Sequence, residues 1–137
     1  MAKKVVVTEN GQGRYQQSIH IGEHQLLADE PVSIGGGDAG PAPFDFLLSA
    51  LGACTSITLR MYAERKGLKL TRVSVELSHE KAEINGIGRD RIARRITLEG
   101  DLTPAERQRL LEIANKCPVH RSLSQPMLID SCLGDYV

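Results

Sequence analysis

The chain has 137 residues, with 17 Lys and Arg against 17 Asp and Glu, 41% hydrophobic residues and three cysteines. A domain of this size buries roughly two-thirds of its unfolded surface, so one domain over residues 1–137 is expected without disulfides or a structural metal. The odd cysteine count argues against a disulfide-stapled secreted scaffold, and a formal net charge of zero provides no basic stripe for nucleic acid or an anionic membrane.

Met1-Ala2-Lys3-Lys4 leads into Val5-Val6-Val7-Thr8, an apolar run too short for the hydrophobic region of a secretory signal. A cytoplasmic protein is expected. β-branched and apolar residues at 4–8, 14–21 and 25–28 are separated by the turn-prone Asn10-Gly11-Gln12-Gly13 and Gly22-Glu23, which predicts an N-terminal β-meander. The run from Gly35 through Gly40-Pro41-Ala42-Pro43 forbids regular structure and lacks the Gly-Lys-Ser/Thr spacing of a phosphate-binding loop.

From Pro43 the pattern turns helical, with Phe44, Leu47, Leu48, Leu51, Cys54, Thr58 and Met61 recurring at three- and four-residue steps and Gly67 suited to the stop. The uncharged stretch 46–59 falls short of the ~20 residues that span a bilayer, so it reads as a long buried helix. Strands are expected at 70–78 and 91–100 about a turn at Asn85-Gly86-Ile87-Gly88. In the second, polar Arg94 and Thr97 interrupt apolar Ile92, Ile96 and Leu98. Thr103-Pro104-Ala105-Glu106 is a capping box opening a helix that carries Leu110, Leu111, Ile113 and Ala114 and stops near Lys116, ahead of Pro118. Pro118 then begins a short helix with Cys117 at its N-cap, and Pro126 ends it before a final strand at 127–131. This order predicts an α+β domain.

Cys54 lies on the apolar stripe of the long helix. A thiol there is either packing or a nucleophile, and the second role needs a cation from elsewhere, because burial raises a thiol's pKa and a helix dipole fades within the first turn. Cys117 precedes Pro at a helix start, where unpaired backbone N–H groups favour a thiolate, and is the more acidic thiol on local grounds. His120 and Arg121 follow within one turn and fit a solvated face as well as an electrostatic role. Cys117-Pro118-Val119-His120 has the look of half a zinc site, but no second Cys or His pair completes four ligands, so neither metal nor cofactor is expected. Nothing singles out Cys132 beyond packing.

The segments Asp29-Glu30-Pro31, Gly35-Gly36, Gly40-Pro41-Ala42-Pro43-Phe44-Asp45, Leu48-Ser49-Ala50-Leu51-Gly52-Ala53-Cys54-Thr55 and Cys117-Pro118-Val119 together resemble the OsmC/Ohr family of thiol-dependent peroxidases, most closely an OsmC-like subgroup. The resemblance covers nearly the whole chain. It implies an intertwined α+β homodimer that reduces organic hydroperoxides, with Cys54 attacking the peroxide, Cys117 resolving the sulfenic acid as a disulfide, and an external dithiol resetting the pair. It also implies a supporting Arg from the N-terminal strands, matched by Arg14, and a carboxylate upstream of Cys54, best matched by Asp45, which differs in length and register from the Glu that the family's hydroperoxide-resistance branch has directly after its proline. Phe44 occupies that position here.

Asp45 and Cys54 are nine positions apart, so on a regular helix they face opposite sides, about 13 Å apart along the axis. If Asp45 serves catalysis it must serve the Cys54 of a second subunit; otherwise it complements the helix N-terminus. Phe44, Leu48, Leu51 and Met61 are the expected walls of an apolar substrate pocket. The alternative to a peroxidase is a small-molecule-binding or structural dimer of the same fold with a depleted catalytic shell.

Overall fold

The computed structural model describes residues 4–134, so residues 1–3 of the N-terminal run read above lie outside the described residues. The chain divides into two compact units, Met1–Ser49 and Ala50–Val137.

In the first unit, strands β1 (Val5–Glu9), β2 (Gln17–Ile21) and β3 (His24–Ala28) form an antiparallel sheet in the order β1-β2-β3. The predicted meander is present, with its strands cut back to five residues each. β2 and β3 join through Gly22-Glu23, and Gly22 at φ 59° supplies the positive φ that a two-residue hairpin turn demands. Ile19 and Ala28 are buried, whereas Val5, Val6 and Val7 are all more than half exposed.

The glycine-rich break that follows is organised by Asp29. Its carboxylate, almost fully buried, accepts backbone N–H groups from Glu30 at 2.7 Å, Ala39 at 3.0 Å and Gly37 at 3.3 Å. The loop's glycines are required by close approach: a Cβ at Gly36 would lie 1.9 Å from the Glu30 carbonyl oxygen, and one at Gly40 would lie 2.3 Å from that of Leu27.

Helix α1 (Pro43–Lys66) begins in the first unit and runs into the second. With 24 residues it is long and apolar enough, by length and composition, to cross a membrane, which corrects the expectation drawn from 46–59 alone. Leu51, Thr55, Leu59, Tyr62 and Ala63 instead form a buried stripe, as in the core helix of a globular fold. Burial is confined to that stripe, since Ile57 and Met61 are 54% and 64% exposed.

The second unit is built on a long antiparallel hairpin, β4 (Lys69–Ile84) and β5 (Ile87–Asp101). It turns at Asn85 and Gly86, φ 53° and 77°, the two positive values of a type I′ turn. Both strands are longer than the apolar alternation predicts. Towards the tip, Lys81 pairs with Asp90 at 2.8 Å and Arg91 with Glu80 at 3.6 Å, so this part of the ladder carries charged cross-strand pairs rather than buried apolar ones.

Helix α2 (Pro104–Ala114) opens at the predicted capping box: Thr103 Oγ1 accepts the Glu106 N–H at 3.1 Å, and Glu106 Oε1 accepts the Thr103 N–H at 2.9 Å. Its Leu110, Ile113 and Ala114 join Leu59 and Tyr62 in the core, with Leu68, Val73, Ile96, Leu98 and Leu102 packed against them. Cys117 and Pro118 then start α3 (Pro118–Leu123) as expected. The final strand expected at 127–131 does not form: these residues have no regular structure, and Leu128 and Ile129 are 95% and 81% exposed.

Candidate active site

Period-two alternation decides which residues of the hairpin reach the core. Val73, Val75, Leu77 and His79 on β4 share a half-buried face with Ile92, Arg94, Ile96 and Leu98 on β5, while the residues between them are exposed. Arg94 therefore occupies an apolar register position, directly opposite Leu77. Its guanidinium donates to Thr55 Oγ1 of α1 at 3.0 Å, to Asn115 Oδ1 beyond α2 at 2.9 Å and to the Ala114 carbonyl at 3.4 Å.

Cys54 and Cys117 meet beside this cation. Helical periodicity puts Cys54 on the margin of the buried stripe of α1, half-buried. The stop enforced by Pro118 turns Cys117 inward at the α2–α3 junction, where it is completely buried. Both thiols are free, and the Cys54 and Cys117 sulfurs lie close enough to shift each other's pKa.

Their surroundings shift the two thiols in opposite directions. Burial pushes the Cys54 thiol up, and so does the neighbouring Cys117, against weaker help from the Val119 N–H and the Thr58 hydroxyl. Burial acts the same way on Cys117, but is outweighed by the Cys54 thiol, the backbone N–H groups of His120 and Val119, and the Thr55 hydroxyl, which together bring it below the ordinary cysteine value. Burial lowers the pKa of Arg94, and negative charge on Cys117 or Cys54 works the other way. His120 is held below the ordinary histidine value by burial and by Arg94, which favours the neutral ring. The arrangement is a pair of unlike thiols, one raised and one lowered, beside a fixed cation.

The OsmC-like protein family matches residues 35–131, a span that contains both cysteines, Arg94 and most of the fold. The chain belongs to the OsmC-like family. Among curated proteins none matches it in sequence. Among solved structures, an OsmC-like protein from Mycoplasma pneumoniae superposes with a TM-score of 0.75 at 18% identity, covering 90% of this chain and 88% of that one. An organic hydroperoxide resistance protein OsmC from Legionella pneumophila gives 0.70 at 17%, covering 90% and 89%. An organic hydroperoxide resistance protein from Elizabethkingia anophelis gives 0.66 at 19%, covering 88% and 86%. At these identities the likeness is one of fold: N-terminal strands, a long helix, further strands and short C-terminal helices.

Against the residues expected from the OsmC/Ohr resemblance, the two thiols are brought together. Arg14 lies in the N-terminal unit, its guanidinium 4.9 Å from the centre of the Tyr15 ring. Asp45, in the first turn of α1, accepts the Ala42 N–H at 2.9 Å, the helix-terminal role weighed above. The expected pocket residues have unlike surroundings: Leu51 is buried, Leu48 half-buried, and Phe44 and Met61 are 48% and 64% exposed. An open cavity of about 410 Å³ lies elsewhere, lined by Ile96, Leu98, Pro104, Arg107, Gln108 and Leu111. Arg94 is the residue that sequence reasoning noted only as an interruption of a strand. Its signal was the register, since it is separated by two from both Ile92 and Ile96 and so shares their face.

Proposed function

We propose that this protein is a thiol peroxidase that reduces organic hydroperoxides through Cys54 and Cys117, working as a cytoplasmic homodimer. The observation that carries the reading is the contact of two free thiols, one half-buried and one completely buried, from elements far apart in sequence. The difference in exposure supports the assignment of roles even though Cys117 is the more acidic thiol: a bulky hydroperoxide can approach Cys54, while Cys117 is covered.

In the reacting form the pair holds one proton, on Cys117, and the charge sits on Cys54. The Cys54 thiolate attacks the distal peroxide oxygen, the O–O bond breaks, and the alkoxide leaves as the alcohol on taking the Cys117 proton. Cys54 is now a sulfenic acid and Cys117 a thiolate. Attack of Cys117 on the Cys54 sulfur forms the disulfide and expels hydroxide, which solvent protonates to water. An external dithiol then reduces the disulfide through a mixed disulfide, returning both thiols and becoming a disulfide itself.

The dimer reading draws support from the triply exposed Val5-Val6-Val7 strand and from the exposed Met127, Leu128 and Ile129. In such a dimer Arg14 and Asp45 would serve a site completed by the second subunit, and Phe44, Leu48, Leu51 and Met61 would wall an aliphatic pocket that prefers alkyl hydroperoxides to hydrogen peroxide. The second reading, a binding or structural dimer, is favoured by one feature: Asp45 already has a helix-terminal partner in Ala42.

The deciding experiment treats the reduced protein with cumene hydroperoxide and maps disulfides by mass spectrometry. A Cys54–Cys117 disulfide, with turnover abolished in Cys54→Ser, is expected. Cys54 remaining reduced under excess peroxide would hand the case to the binding-protein reading, and equal consumption of hydrogen peroxide would remove the alkyl preference.

A further inference from the structure

Arg94 is the cation that β5 places in line with Ile92, Ile96 and Leu98, and its surroundings are unusual for a guanidinium. Taking such a group out of water is costly unless charge and hydrogen bonds compensate. Its hydrogen bonds go to a hydroxyl, an amide oxygen and a carbonyl, all neutral. Within its unit, and among the described residues, no Asp or Glu forms an ion pair with it.

The elements packed around it leave few candidates for the missing negative charge. The titratable group from α1 is Cys54; from the α2–α3 junction it is Cys117; α3 adds His120; and β4 places Leu77 opposite with His79 next along the same face, where His79 and Lys81 already hold Asp90 at 2.7 and 2.8 Å. His120 can be neutral or positive and so cannot supply a negative charge. The two sulfurs remain.

We propose that Arg94 is a positioning residue whose fixed charge keeps the Cys54–Cys117 pair as a single shared thiolate at neutral pH, while its three hydrogen bonds tie α1, β5 and the α2–α3 junction so that the sulfurs stay in contact. The charge comes from the second strand of the long hairpin, independently of any Arg in the N-terminal strands. This rests on reading the pair as the reactive centre, yet its test needs no turnover. Arg, unlike Lys, cannot give up its proton here and offers a planar fork to several acceptors at once, so the two parts of the role separate by substitution.

The experiment is an ultraviolet titration of the thiolate in a Cys132→Ser background, comparing Arg94 with Arg94→Lys and Arg94→Gln. Circular dichroism establishes that each variant is folded. The first thiolate midpoint should rise by about one to two pH units in Arg94→Gln, the range over which an adjacent opposite charge acts. Alkylation by iodoacetamide at neutral pH should slow about tenfold or more in parallel, and the rates should converge at a pH above both midpoints. Arg94→Lys should recover most of the midpoint. A folded Arg94→Gln that titrates like the parent overturns the proposal. If Arg94→Gln does not fold, Arg94→Lys and Asn115→Ala carry the test, since both keep the charge while altering the hydrogen bonds: both should titrate within a few tenths of a pH unit of the parent, and a midpoint raised by a full unit or more in Asn115→Ala overturns the electrostatic role. A raised midpoint without peroxide-driven disulfide formation in the parent would leave the Arg94 assignment standing and remove the peroxidase reading. An unchanged midpoint with disulfide formation would do the reverse.

Discussion

Replacing Thr55 by Val isolates the hydroxyl that links Arg94 to the thiol pair. Thr55 is completely buried, its Oγ1 accepts from Arg94 at 3.0 Å and donates to the Leu51 carbonyl at 2.7 Å, and it lies against the Cys117 sulfur. Val keeps the branched shape, so no cavity opens and the loss is confined to hydrogen bonding. A bond to a charged group contributes about 1.5–3 kcal/mol. Arg94 keeps Asn115 and Ala114 and is partly exposed to water, which reduces the expected cost to about 1–2 kcal/mol. With an unfolding entropy of about 2.1 cal/mol/K per residue, a chain of this length loses roughly 3–4 °C of Tm per kcal/mol, so Thr55→Val should melt roughly 3–7 °C lower. Reduced protein followed by circular dichroism on heating gives that number, and the thiolate titration should show a midpoint raised less than in Arg94→Gln. Thr55→Ser, which restores the hydroxyl, should recover the midpoint. A Thr55→Val protein as stable as the parent with an unchanged titration would refute the view that this hydroxyl couples the cation to the sulfurs.

Two further predictions concern the loop that Asp29 organises, with Gly88 of β5 as the control. Gly40→Ala puts a Cβ against the Leu27 backbone, which cannot move without disturbing β3, and should cost about 1–3 kcal/mol in urea denaturation; Gly88→Ala, with nothing within 4 Å of its Cβ, should be neutral or slightly stabilising. The Asp29 carboxylate is held below its ordinary value by the N–H groups of Ala39, Glu30 and Gly37, with burial opposing. A depressed folded pKa gives stability that is fully present above the unfolded value, about 3.9, and is lost as pH falls through the folded value. Asp29→Asn should therefore flatten the acid limb of stability against pH, and an acid limb of unchanged slope would contradict this account.

How much of the molecule was legible in the sequence depends on which force holds each part. The α2 start was readable to the residue, because Thr103, Pro104 and Glu106 act on one another within a single turn. The hairpin was found but drawn too short, since apolar alternation fades where Lys81, Asp90, Glu80 and Arg91 hold the strands by charge. The segment 127–131 has strand composition, yet a strand exists only through a partner's backbone, and composition does not supply one. The thiols were legible as a pair only through family resemblance, because their contact depends on how α1 and the α2–α3 junction pack. Arg94 is the instructive case. Read as composition, it is a polar blemish in a strand; read as register, it is a guanidinium sharing a face with Ile92 and Ile96. A charge in that position loses hydration on folding, so the fold must bring it an anion or many acceptors. The structure brings three neutral acceptors and two thiols able to share one negative charge. An arginine in phase with an apolar strand is thus a sequence-level pointer to a buried anionic partner, and here it leads to the same two cysteines that the resemblance selects.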